Sequence, residues 1–187
     1  MADVYLIGSA STAFAKHPER SHADLAEEAV RGALDDAGVE SADVDGVWFG
    51  NCALSYFGQS NIRGQVVLQP VLGEVIAAGT PIVNVEGGCA TGSAALHGAF
   101  LAVASGQAGA ALAVGVEKTW VAHDPPKTFE LFLQGIDQMD PARWQQFYAE
   151  QAEALGHSFA PHPARVVFLD IHALAARRHM ERYGTTV

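Results

Sequence analysis

Pro81-Ile82-Val83-Asn84-Val85-Glu86-Gly87-Gly88-Cys89-Ala90-Thr91-Gly92-Ser93-Ala94-Ala95 is the stretch on which the fold turns. A β-branched run stops at two glycines, a cysteine follows, and small residues continue to Ser105. β-Branched residues favour a strand and glycine permits a tight turn. The pattern predicts a strand over 81–85, a turn over 87–89 and a helix over 90–105, with Gly106 as its stop. Ala110-Ala111-Leu112-Ala113-Val114-Gly115-Val116 follows as a second strand without polar alternation, as expected for a parallel strand covered on both faces. Gly92, Ser93, Ala94, Ala95, Gly98 and Ala99 keep the intervening helix thin, so it is expected to lie deep between other elements.

A cysteine between a glycine turn and a helix start lies beside backbone N–H groups that have no partner within the helix. Such a place favours negative charge. It predicts a thiol drawn toward thiolate, with N–H groups able to hold an oxyanion, and acyl transfer through a thioester uses both. Gly88 lets ligand and backbone approach closely, which makes it a candidate substrate contact. Position alone leaves the other reading open, in which Cys89 is an inert small core residue.

Working outward toward the N-terminus, Val4-Tyr5-Leu6-Ile7 predicts a first strand. Ser21 and Asp24 form a capping box for a helix over 21–37, and Gly38 sits where a left-handed stop is wanted. Val47-Trp48-Phe49 predicts a strand ending at Gly50, residues 52–59 a loop, and residues 61–78 a weaker helix. Cys52 falls in that loop and reads as structural. Asn84 and Glu86 read as partners of neighbouring backbone, and His97, two turns beyond Cys89, as packing. Repeated strand and helix units imply a layered α/β fold.

Toward the C-terminus the composition changes at Lys118, with Pro125-Pro126, then aromatic and Gln-rich sequence, then His157 to Pro163. This is an excursion from the sheet, and no metal-ligand spacing is present in it. The chain is expected to divide into an α/β domain over 1–117 and a partly helical excursion over 118–187. Leu169, His172, Ala173, Ala176, His179 and Met180 predict the inner face of a closing helix that Gly184 stops, with Arg177, Arg178 and Arg182 opposite. Those arginines read equally as a solvated helix face or as contacts to phosphates.

The totals exclude several classes. There are 187 residues, 49% of them apolar, enough for a packed domain, and 21 acidic against 11 basic residues give a net charge of −10. Nucleic-acid binding needs clustered positive charge and is not expected. Two cysteines are too few for a disulfide framework and no signal-peptide pattern opens the chain, so a cytoplasmic setting is expected. The strongly apolar stretch from Ala108 to Val116 is too short to cross a bilayer. Gly8-Ser9-Ala10 lacks the glycine spacing of a dinucleotide fingerprint.

Asn84-Val85-Glu86-Gly87-Gly88-Cys89-Ala90-Thr91-Gly92-Ser93-Ala94-Ala95 resembles the nucleophile segment of the thiolase superfamily, particularly sterol-carrier-protein-type thiolases and bacterial acetyl-CoA acetyltransferase-like proteins. The Gly-Ser-Ala-Ser-Thr-Ala-Phe loop after the first strand, Gly115-Val116-Glu117-Lys118 and the closing Arg177-Arg178-His179-Met180-Glu181-Arg182-Tyr183-Gly184 resemble the same subgroup. The resemblance implies the N-terminal part of a thiolase-like layered α/β fold with a loop-domain excursion. It implies that Cys89 is acylated by acyl-CoA, with coenzyme A as substrate or product and no other cofactor, in thiolysis of a 3-oxoacyl-CoA or the reverse condensation. A base and oxyanion partners come, in that family, from a C-terminal half that nothing here matches. A C-terminal half or partner subunit is therefore expected, in a homodimer or a heteromer, possible partners including a zinc-ribbon/OB-fold protein. The alternatives are a noncatalytic or half-enzyme thiolase-like subunit of a heteromeric complex and a ketoacyl synthase-like condensing enzyme.

Overall fold

The computed structural model describes residues 3–160, 162 and 166–186. The chain forms two compact units, Met1–Lys118 and Thr119–Val187.

In the first unit, helix α1 spans His22–Ala37. The Ser21 hydroxyl accepts the Asp24 N–H and the Asp24 carboxylate accepts the Ser21 N–H, so two otherwise orphaned donors are satisfied. These bonds hold the Asp24 carboxyl below its ordinary range. Gly38 ends the helix in the left-handed region at φ 65°. Strand β1 is Gly46–Gly50, helix α2 Arg63–Val67, strand β2 Ile82–Val85, helix α3 Thr91–Ala104 and strand β3 Ala111–Gly115. The three strands are parallel in the order β2-β1-β3, with Phe49 paired to Asn84 on one side and to Val114 on the other.

Alternation along β1 divides the unit into layers, because successive side chains leave opposite faces of a strand. Val47 and Phe49 are both fully buried and join Leu25, Val30 and Leu34 of α1 and Val67 of α2 in one apolar cluster. Trp48 points the other way, onto α3, where a β-carbon at Gly98 would lie 2.4 Å from its ring. Helix and strand approach this closely because position 98 has no side chain.

Four expectations for the first unit are corrected. The Val4–Ile7 segment is no strand: it has no sheet partner among the described residues, and Tyr5, Leu6 and Ile7 are exposed. A run of apolar residues is a strand only where its backbone pairs with a neighbour, and this one pairs with none of the described strands. Residues 61–78 are helical only over Arg63–Val67, followed by a tight turn over Gln69–Val71. Pro70 has no N–H to continue the ladder, and Gly73 adopts φ 85°. β3 is an edge strand, so Ala111, Leu112 and Ala113 are only half-buried. α3 is covered on one side, burying Ala95, Ala99 and Ala102 while Leu96, Phe100 and Leu101 stay exposed, with His97 stacked on Phe100.

The second unit holds helices α4 (Pro125–Leu133), α5 (Pro141–Ala154) and α6 (Val167–Tyr183). α6 ends at Gly184 with φ 66°. Its expected inner face is not inside: Leu169, His172, Ala173, Ala176 and His179 are exposed, and only Val167 is buried. Helical spacing selects a face, but a face is buried only where a partner covers it. Of the loop expected over 157–163, Pro161 and Pro163 lie outside the described residues. No helix among the described residues is long and apolar enough to cross a membrane.

One pH dependence follows from the start of α1. Burial, and then the charge of Lys118, lower the His22 pKa from its ordinary value, and its buried Nε2 has no hydrogen-bond partner among the described residues. Below the ordinary value of 6.5 the unfolded chain takes up a proton that the folded chain resists, so stability present at pH 7 declines as the pH falls. The thermal midpoint should drop between about pH 7 and 5.5, a window above the usual carboxylate range, and drop less in His22→Gln. Equal slopes in the two proteins would rule out His22 as the cause.

Candidate active site

Parallel strands end together, so whatever follows β1, β2 and β3 is gathered at one edge of the sheet. Asn51 and Cys52 follow β1, the Glu86-Gly87-Gly88-Cys89 turn follows β2, and Glu117 comes two residues after β3.

Asn51, 1% exposed, ties these ends together. Its backbone N–H donates to the Val85 carbonyl at 3.3 Å and its side-chain amide to the Val116 carbonyl at 2.7 Å. Its side-chain oxygen accepts the Leu54 N–H at 3.0 Å, and its own carbonyl accepts the Arg63 guanidinium at 2.6 Å. Arg63 follows Ile62, which is held at φ 46° although a β-branched residue is strained there. The restraints on the far side of Ile62 are the Arg63 bond and the Gly64 N–H donating to the Asn84 side chain at 2.6 Å.

Cys89 stands in the tight turn Gly88–Ala90 immediately before α3 and is exposed. Gly88 takes φ 56°, a conformation that an L side chain resists. Thr91 locks the turn: its hydroxyl accepts the Gly87 N–H at 3.0 Å and donates to the Gly88 carbonyl at 2.7 Å. The Gly88 N–H donates to the Glu86 carboxylate at 2.7 Å, so this candidate substrate donor is engaged within the turn itself. Among the described residues the Cys89 N–H has no hydrogen bond, which leaves a donor beside the thiol.

Cys52, which the sequence presents as a structural loop residue, lies in a charged setting. The Glu117 carboxylate accepts the backbone N–H groups of Cys52 and Ala53, the latter at 3.1 Å, and so caps the short helical turn Ala53–Ser55. Burial first, then the Glu117 charge and its hydrogen bond with the thiol, then Glu86 and Cys89, push the Cys52 pKa up to about 11. The sequence gives Asn51 no distinguishing mark, and it presents Glu117 only within the Gly115-Val116-Glu117-Lys118 resemblance, with no role attached. The local signal at Asn51 is a polar residue directly after the strand-ending Gly50, whereas the pairing of residues 52 and 117 spans 65 positions.

The other candidates belong to the second unit. Arg177 lines a pocket of about 190 Å³ with Leu155, His157, Met180 and Glu181. Arg178 pairs with Glu181 at 2.7 Å, and Arg182 lies 5.3 Å from the Tyr183 ring centre. All three arginines are exposed, and of them only Arg177 faces this pocket. A larger cavity of the first unit, about 340 Å³, is lined by Gln65, Leu72, Gly73, Ala78, Gly79, Thr80 and Ile82 at the start of β2, the opposite end from Cys89. No group of three or more potential metal ligands occurs among the described residues.

Comparison with known proteins places this geometry in context. The family described as "Thiolase, N-terminal domain" matches residues 4–132. The acetyl-CoA acetyltransferase of Methanothermobacter thermautotrophicus is 33% identical over 186 residues, covering 100% of this chain and 42% of the relative. That of Methanocaldococcus jannaschii is 30% identical, covering 100% of this chain and 41% of the relative. Human sterol carrier protein 2 is 31% identical over 98% of this chain and 30% of its own length. The chain thus spans less than half the length of these relatives.

Proposed function

The chain belongs to the thiolase N-terminal domain family, and on that premise we propose that it supplies the acyl-accepting nucleophile, Cys89, of an acyl-CoA acyltransferase. The observation that carries this reading is an exposed thiol in a rigid turn at the start of α3, with its own N–H unengaged among the described residues.

In the proposed step the Cys89 sulfur attacks the carbonyl carbon of an acyl-CoA thioester. The new bond from carbon to the Cys89 sulfur forms, the bond from carbon to the coenzyme A sulfur breaks, and the Cys89 proton ends on the departing coenzyme A thiol. The Cys89 N–H lies where it can donate to the oxygen that becomes negative, a contribution of about 3 kcal/mol for one such donor. The start of α3 adds a favourable potential for that charge. The full cycle we assign is thiolysis of a 3-oxoacyl-CoA, or condensation in reverse, a reading that the similarity to acetyl-CoA acetyltransferases supports. That full cycle needs a base, which we assign to a C-terminal half or partner subunit in a dimeric or heteromeric assembly. We assign the phosphates of coenzyme A to the Arg177 side of α6, because Arg178 is paired with Glu181.

Incubation with acetyl-CoA in the presence of that half, followed by intact-protein mass spectrometry, should show one acetyl adduct, absent from Cys89→Ala. An adduct that persists in the variant would place the acyl group elsewhere and overturn the reading.

A further inference from the structure

Two thiols stand at the same edge of the sheet, and the proposed reaction uses only one. Cys89 is exposed, while Cys52 is half-buried on the loop leaving β1. We infer that Glu117 makes the centre selective between them: by gripping the loop after β1 and setting a carboxylate against Cys52, it prevents that thiol from competing with Cys89 for the acyl group. This rests on the reading of Cys89 as the acyl acceptor.

The geometry makes Glu117 the element that faces Cys52 most directly. Its carboxylate takes the Cys52 and Ala53 N–H groups, and among the described residues it has no ion pair that would cancel its charge. The other groups acting on Cys52 are Glu86, from the end of β2, and Cys89, and both also oppose a negative charge there. Of the cations near this edge, Arg63 of α2 is turned to the Asn51 carbonyl and Lys118 to the Arg20 carbonyl. A thiol attacks only as thiolate, so the upward shift of Cys52 to about 11 withdraws it from chemistry near neutral pH. The consequence reaches the acyl intermediate. Exchange from Cys89 to Cys52 would break the bond from carbon to the Cys89 sulfur, form one to the Cys52 sulfur and pass the Cys52 proton to Cys89. A proton held on Cys52 blocks that transfer, so the acyl group stays where the turn presents it.

Glu117 is thus a positioning residue, and its test is the reactivity of Cys52. Alkylation by iodoacetamide, followed residue by residue by peptide mass spectrometry from pH 7 to 11, is compared in the unaltered chain, Glu117→Gln and Cys89→Ser. In Cys89→Ser, Cys52 should titrate far above an ordinary thiol and at pH 8.5 react about 100-fold more slowly than a free thiol. Glu117→Gln, with an unchanged thermal midpoint, should speed Cys52 alkylation about 10-fold and move its pH midpoint downward, while Glu117→Asp keeps it slow. A loss of packing alone would raise the rate without this dependence on the carboxylate. An ordinary thiol midpoint for Cys52 in Cys89→Ser overturns the inference even if Glu117→Gln fails to fold. So does a folded Glu117→Gln with Cys52 unchanged. Failure of Cys89 to accept an acetyl group would instead sink the acyl-acceptor reading and leave the Cys52 midpoint intact, so the two failures are distinguishable.

Discussion

Phe49→Ala is expected to remove about 3–5 kcal/mol of stability, the usual cost of emptying a fully buried phenylalanine site. Phe49 is 0% exposed on the central strand, with β2 and β3 on either side. Its Cβ and Cγ lie against Gly64, where an added β-carbon would come within 2.8 Å of both. Gly64, on that side, therefore has no side chain to move into the cavity. A folded domain holds only about 5–15 kcal/mol in reserve, so the variant should sit near the limit of folding. Urea denaturation would show the midpoint falling with the slope unchanged, and Phe49→Leu should recover most of the loss. A cost below about 1 kcal/mol for Phe49→Ala would mean that the first unit's core does not centre on β1.

Asn51→Ala is expected to cost about 2–4 kcal/mol, because it leaves the Val116 carbonyl and the Leu54 N–H without their buried partner. The effect on geometry matters as much as the energy. Asn51 connects the loop that carries Cys52 to the end of β3, so its loss should free the turn Ala53–Ser55 from one side while Glu117 still holds the other. Hydrogen exchange should show lost protection at the Leu54 amide well before the amides of β1 respond. Asn51→Asp keeps an acceptor for Leu54 but turns a carboxylate oxygen on the Val116 carbonyl, so it should be no more stable than the alanine variant. A Leu54 amide as protected as in the unaltered chain would show that the hydrogen bonds of Asn51 are dispensable.

The parts of the fold legible from sequence are those specified by neighbouring residues. The capping box at Ser21 and Asp24, the stops at Gly38 and Gly184, and the strand, glycine turn and helix around Cys89 depend on contacts within a few positions, and the structure contains each of them. The layered α/β class followed from the repetition of such units. The misread segments, Val4–Ile7, the outer faces of β3 and α3 and the inner face of α6, share one cause. Each carries an apolar pattern that local sequence can supply, while burial needs a second surface from elsewhere.

Composition and spacing alone determined that this is an acidic α/β chain presenting a cysteine between a glycine turn and a helix. Tertiary structure decided what surrounds that cysteine. The Asn51 tie to Val116 and the Glu117 grip on Cys52 join residues 65 positions apart, and the same edge brings Cys52 together with Cys89. Parallel strands bring their ends together whatever the length of chain between them, and no local pattern records which loop will meet which.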